Sequence, residues 1–452
     1  MFSEKYFSAD NVRGDMENKL YWSKRNYIFK SEKYGWLLYS GLSNSFFSLS
    51  ENIKNKIDGY LKGDCDLPQD VKDVFFKAGI LSNYTDEEFD RLYMLNWLKV
   101  QKNQDTINFT IAPTLNCNFR CSYCYEKNAF NKRVMDKTIL EKLIKFAKSN
   151  NKNKIRVEWY GGEPLLALDH IKYFNLLAKE NKIELKQVMI TNGYLITQDV
   201  LDFFQEIGLK GLQITLDGRK EVHNKRRPHI SDPDSYSRIM DNLDLLYNFS
   251  KTHNYEIFVS IRVNIDKTNE EDYPLIKKYF EDRYGDFFYV YYGIVKNYNS
   301  CLSQADDSFD KYDEGDFYQL LNSKYNLHSE NFYPRKCGVG HCQAQFVDHY
   351  VIDSDGYMYK CYNDIGYKDK AIYSLKDGKK VNLKREADFI INQQVIFNQN
   401  CKSCFLMFSC QGGCPYEAIE NKRKCPVLKE NIKEYLEKTY EKVQKKEQLF
   451  VY

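Results

Sequence analysis

Apolar runs alternate with amphipathic stretches through the middle of the chain. Six of the runs are short and bounded by polar or glycine-containing segments, which is typical of strands. The stretches between them carry apolar residues at helical spacing. This alternation predicts the α/β class with a parallel sheet, because parallel strands need crossover helices. The predicted strands are INFTIAP (107–113), IRVEWY (155–160), KQVMIT (186–191), GLQITL (211–216), IFVSIRVNI (257–265) and FFYVYYGI (287–294).

The predicted helices follow the same order. They are KTILEKLIKFAKS, LDHIKYFNLLAKEN, TQDVLDFFQEIG, SYSRIMDNLDLLYNFS and EEDYPLIKKYFEDRYG. The first four strands end in chemically unusual loops: CNFRCSYC, GGEP, TNG and DG. In a curled parallel sheet the carboxyl ends of the strands meet at one mouth, so we expect the four loops to converge there.

Residues 1–95 have the pattern of a separate module. YGWLLYSG and NSFFSLS predict two strands around a turn, and ENIKNKIDGYLKG and LPQDVKDVFFKAGIL predict two helices, the second ending near Gly79. A hairpin with a few helices suggests a winged-helix-like fold, either for recognition or as a structural cap. Beyond residue 335 the regular pattern fades, and residues 431–452 predict a charged C-terminal helix.

Composition narrows the class of protein. The 452 residues are 43% hydrophobic and 29% charged, with 66 Lys and Arg against 63 Asp and Glu, for a net charge of +3. This near balance argues against nucleic acid as the main partner. The charged N-terminus lacks the apolar region of a secretory signal. The sequence also contains no run of about 18 apolar residues, which a membrane-spanning helix would need. We therefore expect a cytoplasmic protein, in which disulfides are rare.

Thirteen cysteines then need another explanation, and CNFRCSYC gathers Cys117, Cys121 and Cys124 within one loop. Structural zinc takes four closed ligands, commonly as two CxxC pairs, and this loop has no partner pair. Thiolates also hold [4Fe–4S] clusters, in which every iron takes one external ligand. Three thiolates on such a cluster leave one iron open to a small molecule. Zinc remains the alternative.

A second cysteine set follows the pattern Cx4C–x13–Gx4C, then Cx2Cx5Cx3C, then Cys. Eight thiolates make two complete four-ligand sites, with two zinc ribbons as the alternative. Together with the first loop they fill all but one ligand position of three four-iron clusters. We expect Cys65 and Cys301, outside these patterns, to be buried small apolar residues. The second set is Cys337, Cys342, Cys361, Cys401, Cys404, Cys410, Cys414 and Cys425.

These motifs resemble a known family. Residues 105–300 resemble the radical S-adenosylmethionine (radical SAM) enzymes, which carry a CX3CX2C loop after the first strand of a partial (β/α)6 barrel. Residues 335–430 resemble the SPASM extension, an iron–sulfur domain with the second cysteine pattern. The whole is similar to maturases of ribosomally made peptides, such as thioether-forming synthases.

The resemblance implies roles at the mouth of the barrel. Cys117, Cys121 and Cys124 hold a reducible [4Fe–4S] cluster whose open iron chelates S-adenosylmethionine. For the arginine that meets the cofactor carboxylate, Arg227 is preferred, with Arg226 and Arg238 as alternatives. His223 falls at a His-Asp position of the family but is followed by Asn here, so we expect packing or capping from it. The remaining implied cofactor-binding residues are Tyr123, Gly161, Gly162, Glu163 and Thr215.

The resemblance also assigns two auxiliary [4Fe–4S] clusters. It places Cys337, Cys342, Cys361 and Cys414 on the first, and Cys401, Cys404, Cys410 and Cys425 on the second. More weakly, residues 1–95 resemble a leader-peptide recognition domain, which captures a peptide as an added strand. The implied partners are a precursor peptide with a leader segment and a reducing donor of the flavodoxin or ferredoxin type.

The expected activity is hydrogen abstraction from a residue of a precursor peptide, followed by formation of a cross-link, with a thioether as the first hypothesis. An anaerobic sulfatase maturase, which makes formylglycine, is one alternative. That group has Asp directly after the cysteine equivalent to Cys361, where this chain has Tyr362. Peptide epimerisation or decarboxylation is another. The last alternative is a protein that is not an enzyme, a non-catalytic iron–sulfur electron carrier.

Overall fold

The structure is a computed structural model. It describes residues 19–102, 105–296, 311–325, 327, 342–426, 429 and 432–445. The chain divides into two units. The first unit comprises Met1–Asn103, His328–Val347 and Ala387–Tyr452, and the second comprises Gln104–Leu327 and Asp348–Glu386. Residues 335–430, predicted from the sequence as one domain, are therefore shared between the two units, and the four-domain division remains a prediction.

The strands are numbered in chain order through the described residues. They are β1 Tyr21–Trp22, β2 Asn26–Ser31, β3 Gly35–Ser40, β4 Ser45–Leu49, β5 Leu81–Ser82, β6 Thr106–Ile111, β7 Lys154–Trp159, β8 Glu184–Thr191, β9 Gly211–Thr215, β10 Phe258–Ile265, β11 Phe288–Ile294, β12 His349–Ile352, β13 Tyr357–Tyr359, β14 Tyr373–Ser374 and β15 Lys379–Lys380.

The α-helices are numbered in the same way. They are α1 Glu51–Lys62, α2 Gln69–Lys77, α3 Asp86–Lys102, α4 Lys137–Ser149, α5 Leu168–Glu180, α6 Gln198–Glu206, α7 Lys220–Arg226, α8 Ser235–Thr252, α9 Asp272–Tyr284, α10 Lys311–Ser323, α11 Leu383–Ala387, α12 Gln399–Lys402, α13 Met407–Cys410, α14 Pro415–Ile419 and α15 Ile432–Lys445. Among the described residues, no helix has the length and apolar character needed to cross a membrane.

The second unit is built on a ten-stranded sheet with the order β11-β10-β9-β8-β7-β6-β12-β13-β14-β15. Strands β6 to β11 are parallel neighbours, which confirms the six predicted strands and the α/β class with a partial barrel. Strand β12 extends the sheet parallel to β6, and the last three strands add antiparallel. This extension places residues 348–386 beside the loop that follows β6.

Helix α4 illustrates how the predicted crossovers form. Asp136 caps its start by accepting a hydrogen bond from the Thr138 amide at 2.8 Å. Its apolar positions recur at helical spacing and form one buried stripe toward the sheet. The buried residues are Ile139, Leu140, Leu143, Ile144 and Ala147. The helix covers the range that the sequence pattern predicted.

The first unit contains the predicted N-terminal hairpin and both of its helices. Strands β3 and β4 form the hairpin, and β2, which the sequence pattern did not predict, completes an antiparallel sheet of order β2-β3-β4. A core cluster joins this sheet to α1 and α2 through residues such as Leu38, Phe47, Ile57 and Phe75. The expectation that Cys65 is buried was wrong. Cys65 is exposed in the loop before α2, while Cys301 lies outside the described residues.

Helix α3 joins the N-terminal part of the first unit to its C-terminal part. Its buried side chains pack in one cluster with residues that follow Ala387, so residues 19–102 share a core with the C-terminal segment. The cluster comprises Leu42, Phe89, Tyr93, Trp97, Ile390, Val395, Ile396, Met407 and Phe408.

Candidate active site at the carboxyl ends of the strands

The loop after β6 brings three half-buried thiols together. Burial raises the pKa of Cys117 to about 12, and the Glu163 carboxylate adds to the rise. Burial also raises the pKa values of Cys121 and Cys124, although nearby Arg227 opposes the rise at Cys121. Cys121 contributes to the raised pKa of Cys117, and both Cys117 and Cys121 contribute to that of Cys124, so the three thiols lie within electrostatic reach of one another. Because thiolates are the metal ligands, metal binding must displace three protons.

The donor chemistry of this loop fits a cluster better than a single ion. Within the described ranges, no group of three or more His, Cys, Asp or Glu side chains is placed so that it could hold a single metal ion. A four-iron cluster spreads its thiolate ligands over separate iron atoms. Three grouped thiols with no fourth ligand among the described residues are therefore compatible with such a cluster, whereas closed structural zinc takes four ligands. Ligation by Cys117, Cys121 and Cys124 remains a prediction.

The segment that leads to Cys117 is held by backbone contacts from the loop after β7. The amide of Gly162 donates to the Thr114 carbonyl at 3.2 Å, and the amide of Glu163 donates to the Asn116 carbonyl at 2.9 Å. A Cβ atom on Gly162 would lie 2.1 Å from the Asn116 carbonyl oxygen. Gly161 has φ +105°, a conformation that favours glycine, and a Cβ there would lie 2.5 Å from the Thr114 carbonyl oxygen. Both glycines thus allow the two loops to touch.

Glu163 is fully buried, and its carboxylate ties the loop after β7 to the end of β8. Its Oε1 atom accepts hydrogen bonds from the Leu165 amide at 3.0 Å and the Thr191 hydroxyl at 2.7 Å. Its Oε2 atom accepts one from the Asn192 amide at 2.8 Å. Burial raises the pKa of Glu163, and these three bonds oppose the rise. The carboxylate therefore has a positioning role at the ends of β7 and β8, beside its predicted role toward an ammonium group.

The TNG loop after β8 contacts the cysteine loop through Asn192. The side-chain amide of Asn192 donates to Asn118 Oδ1 at 2.7 Å and lies 4.0 Å from Cys117 Sγ. The Phe119 amide lies 3.4 Å from the same sulfur. Sequence reasoning marked the TNG loop as unusual but did not select Asn192. Its signal was a polar residue directly after a strand that ends at Thr191.

The segment after α7 closes the other side of the cysteine loop. The amides of Arg120 and Ser122 donate to the carbonyls of Pro228 at 2.8 Å and Arg226 at 3.1 Å. The Ile230 amide returns a bond to the Asn118 carbonyl at 3.0 Å. The loop is therefore fixed by backbone bonds on two sides, which is what pre-organised ligands require.

The three candidate arginines have different surroundings. Arg226 donates to Asp266 at 2.5 Å and to Thr268 at 2.9 Å, so its guanidinium is used in a buried ion pair. Arg238 is exposed. Arg227 is buried and donates to the Tyr123 hydroxyl at 2.7 Å. The Nε atoms of Arg226 and Arg227 both lack a hydrogen-bond partner among the described residues, but the Arg226 guanidinium is already paired with Asp266 and Asp217. The geometry therefore favours Arg227 as the arginine with capacity for a ligand.

Two further predicted residues lie at the same end of the sheet. Thr215 ends β9 and is 8% exposed. Tyr123 accepts a second hydrogen bond at its hydroxyl from Asn264 at 3.0 Å, which ties the cysteine loop to β10. His223 is fully buried and accepts a weak bond from the Asp217 amide at 3.3 Å. Burial lowers the pKa of His223 well below its ordinary value, so the expected packing role suits a neutral imidazole.

A second group of thiols lies in the first unit. Burial raises the pKa values of Cys401 and Cys410, and the other thiols of the group contribute to both rises. Cys401, Cys404, Cys410 and Cys425 are therefore near one another, as one four-thiolate site requires. Cys342 and Cys414 are also in the first unit, Cys361 is in the second unit after β13, and Cys337 lies outside the described residues. Ligation by all of these residues remains a prediction.

Comparison with known proteins gives the chain its relatives. A family model described as the Radical SAM superfamily matches residues 111–279. The chain is 26% identical over 384 residues to a cysteine-type anaerobic sulfatase-maturating enzyme of Clostridium novyi, covering 75% of this chain and 96% of that protein. It is 26% identical over 345 residues to a serine-type enzyme of the same name from Bacteroides thetaiotaomicron, covering 66% of this chain and 80% of that protein.

One solved structure shows the shared fold. It is described as native anSMEcpe with bound AdoMet and Cp18Cys peptide, and it aligns with a TM-score of 0.58 at 19% identity. The alignment covers 75% of this chain and 98% of that chain.

Proposed function

We propose that this chain is a radical SAM enzyme of the maturase type. In this proposal it abstracts a hydrogen atom from a residue of a ribosomally made precursor peptide and forms a cross-link, with a thioether as the first candidate. The observation that carries the proposal is the arrangement at the mouth of the barrel. Three thiols sit on one loop that is clamped by Gly162 and Glu163 and faces buried Arg227. Such a site suits a cluster together with a small zwitterionic cofactor.

Under this proposal the chain binds and orients two groups. Cys117, Cys121 and Cys124 hold a [4Fe–4S] cluster, and Arg227 provides the cation for the carboxylate of S-adenosylmethionine. When bound and reduced, these groups would supply the chemistry that removes a hydrogen atom from a substrate carbon. Gly161 allows close backbone approach because it lacks a side chain. The remaining proposed contacts are those of Tyr123, Gly162, Glu163 and Thr215.

The proposal extends to the cysteines of the C-terminal region and to the N-terminal module. We assign Cys337, Cys342, Cys361 and Cys414 to one auxiliary [4Fe–4S] cluster and Cys401, Cys404, Cys410 and Cys425 to another. The mutual electrostatic contact of the second group supports that assignment. Residues 1–95 form the leader-binding module, in which the three-stranded sheet offers an edge for an added strand. A flavodoxin or ferredoxin is the proposed electron donor.

Formylglycine formation is the second candidate, and the relatives favour it. Two curated sulfatase-maturating enzymes align over at least 66% of this chain. Two features weigh toward the first candidate. Tyr362 stands where the resemblance leads us to expect Asp in that group, and the chain has a structured module before the barrel.

A mass measurement separates the candidates. The enzyme is purified without oxygen, its clusters are reconstituted, and it is incubated with S-adenosylmethionine and dithionite. One arm contains the Cp18Cys peptide, and the other contains a synthetic cysteine-containing peptide, taken from a short reading frame where sequencing finds one beside the gene. Loss of two hydrogens with no other change supports a cross-link. Replacement of sulfur by oxygen with loss of two hydrogens supports formylglycine. No mass change with either peptide contradicts both candidates.

A further inference from the structure

A carboxylate that the cysteine motifs do not include lies at the carboxyl end of β7. On this strand Ile155, Val157 and Trp159 are buried, and Trp159 packs on Phe174 of α5. Because side chains alternate along a strand, Glu158 lies on the opposite face, toward the interior of the partial barrel. Glu158 precedes Gly161 by only three positions, so it is near the mouth that carries the cysteine loop.

Two hydroxyl groups hold this carboxylate. The Tyr362 hydroxyl donates to Glu158 Oε1, and the Thr110 hydroxyl lies 3.3 Å from the same oxygen. Thr110 Oγ1 is also 3.4 Å from the Tyr362 hydroxyl, so the three groups form one compact network. Among the described residues, Glu158 Oε2 accepts no hydrogen bond. One oxygen is therefore fixed by the protein while the other is available to a ligand.

The other described carboxylates at this end of the sheet are not placed for the same task. Glu163 accepts three hydrogen bonds from the protein. Asp266 is paired with Arg226 at 2.5 Å, and Asp217 lies 3.6 Å from the same guanidinium. Glu126 is 7% exposed and its Oε1 atom has no hydrogen-bond partner among the described residues, but it is in the cysteine loop itself, two residues after Cys124. Among these carboxylates, Glu158 is the one on a barrel strand that has an open oxygen and no ion pair with a described residue.

Aromatic side chains enclose the position. Tyr160 directly follows β7, and its ring centroid is 5.0 Å from that of Tyr362 in an edge-to-face arrangement. The Tyr160 hydroxyl contacts the Tyr125 hydroxyl in the cysteine loop. Burial raises the pKa of Tyr160, with Cys124 and Cys361 as further contributors, so both cysteines are within its electrostatic reach. Glu158 thus lies in an aromatic-lined part of the barrel beside the proposed radical site.

We propose that Glu158 is a catalytic base that accepts the proton lost by a cysteine thiol of the peptide substrate, with Tyr362 and Thr110 as positioning residues. This inference rests on the proposed function. In cross-linking, the thiol S–H bond breaks, a carbon–sulfur bond forms with the substrate carbon radical, and one proton and one electron leave. In formylglycine formation, the radical carbon and sulfur form a double bond, and again one proton and one electron leave.

The balance is the same in both reactions. The proton goes to Glu158, and the electron goes to an oxidised iron–sulfur centre. The assignment of the base therefore does not depend on which of the two products forms. Burial raises the pKa of Glu158 from its ordinary value, and the bonds from Tyr362 and Thr110 oppose this. A raised pKa makes a carboxylate a better proton acceptor.

The test uses the reconstituted full chain and the two peptides named above, with deuterium at their carbon-bound positions. Glu158→Gln is compared with the wild type and with Glu184→Gln, which makes the same chemical change at an exposed site at the other end of the sheet. Deuterium in 5′-deoxyadenosine reports hydrogen abstraction, and the ratio of peptide product to 5′-deoxyadenosine reports completion. We expect Glu158→Gln to keep deuterium transfer while the ratio falls about 100-fold. Glu184→Gln is expected to match the wild type.

Two further measurements separate catalysis from structure. The wild-type ratio is expected to fall at acidic pH as Glu158 becomes protonated, whereas the ratio in Glu158→Gln is independent of pH in that range. Isotope-edited infrared spectra with labelled glutamate are expected to show a protonated carboxyl band after turnover in the wild type and not in the variant. If Glu158→Gln loses its iron, Tyr362→Phe decides the matter, because it keeps the carboxylate and is expected to lower the ratio about 10-fold.

The outcomes distinguish failure of the proposed function from failure of the proposed role of Glu158. If the wild type modifies neither peptide, the proposed function fails and this inference fails with it. If the wild type modifies a peptide and Glu158→Gln completes it at the wild-type ratio, the proposed function stands and the role of Glu158 is overturned. If Glu158→Gln loses its iron, Tyr362→Phe is measured in its place. A wild-type ratio of product to 5′-deoxyadenosine in Tyr362→Phe then also overturns the role of Glu158.

Discussion

The backbone amide of Glu163 donates a hydrogen bond to the carbonyl oxygen of Asn116 at 2.9 Å, one residue before the first cysteine of the three-cysteine loop. With the bond from Gly162 to Thr114, it makes the loops after β6 and β7 one hydrogen-bonded structure. The GGEP motif therefore positions the cysteine loop as well as bordering the proposed cofactor site.

Gly162→Ala tests this clamp. The added Cβ would meet backbone atoms of Asn116 at 2.1 and 2.6 Å, and backbone cannot turn aside as a side chain can. We expect the loops to separate, with at least about 2 kcal/mol of lost stability and loss of iron from the three-cysteine site. Gly208→Ala is the control, because Gly208 has φ +62° and open space around it, so only about 1 kcal/mol of backbone strain is expected. Full iron content and cofactor cleavage in Gly162→Ala would show that the contact is dispensable.

Substitution of Arg227 is expected to weaken cofactor binding, whereas substitution of Arg226 is expected to lower folding stability. Arg227→Gln is expected to raise at least 10-fold the S-adenosylmethionine concentration needed for half-maximal cleavage, by about 1.4 kcal/mol of lost binding. Arg226→Gln instead removes one partner of the buried pair with Asp266 and is expected to cost about 3 kcal/mol of folding stability. Exposed Arg238→Gln serves as the control for both. Equal effects of Arg226→Gln and Arg227→Gln on cofactor affinity would contradict the assignment.

Buried His349 is expected to make the folding stability of the second unit fall at acidic pH. Burial, with a smaller contribution from Lys360, lowers the pKa of His349 from 6.5 to about 3. Below pH 6.5 the imidazole is protonated in the unfolded chain but stays neutral in the folded chain until about pH 3. Above pH 6.5 the ring is neutral in both states, so this group causes no loss of stability there. Stability is expected to fall by about 1.4 kcal/mol per pH unit between pH 6.5 and 3 from this group.

Denaturant unfolding of the reconstituted enzyme across this pH range measures the slope. His349→Leu is expected to give a shallower slope, whereas His253→Asn, at an exposed site, is expected to leave it unchanged. An identical slope in His349→Leu would remove His349 as a source of the acid sensitivity.

The shared core of the first unit changes what a truncation should do. Tyr27 stacks on Phe405 with ring centroids 4.5 Å apart, and Phe89 and Tyr93 pack on Phe408. Deletion of residues 1–95 is therefore expected to destabilise the segment that carries Cys401 and Cys410, besides removing any leader binding. Iron analysis and limited proteolysis are the measurements.

The control for this deletion is Lys30→Ala. The exposed Lys30 amine is 3.7 Å from Glu51 and 5.4 Å from the centroid of the Trp36 ring, and neither contact reaches the C-terminal segment. It is expected to keep wild-type iron content. A truncated chain with unchanged iron and protease resistance would show that the C-terminal segment folds without the N-terminal module.

The sequence predicted the parallel strands and crossover helices because their patterns are local. Each of the six strands is an apolar run, and α4 has a capped start and a continuous buried stripe. Strands β12 to β15 were not predicted. They have two to four residues each, and β12 pairs with β6 across a sequence separation that no local pattern reveals. Helix α3 was also missed, since its amphipathic pattern is weak outside the core it shares with the C-terminal segment.

The site divides in a similar way. Cysteine spacing and the two glycines were evident from the sequence, because ligand geometry and close backbone approach restrict residue type. Asn192, Asn264 and Glu158 were not selected. Each is one polar residue in or after a strand, and its significance depends on which neighbours the sheet places beside it. Tyr362 was noted only as a departure from an expected Asp, and its bond to Glu158 emerged from the structure.

The proposed radical chemistry starts at the three-cysteine loop. A variant in which Cys117, Cys121 and Cys124 are all changed to Ala tests this through two measurements: formation of 5′-deoxyadenosine from S-adenosylmethionine, and iron and sulfide content. We expect cleavage of S-adenosylmethionine to be abolished while the iron and sulfide of two clusters remain. Cleavage that persists in this variant would show that the radical chemistry does not depend on these cysteines.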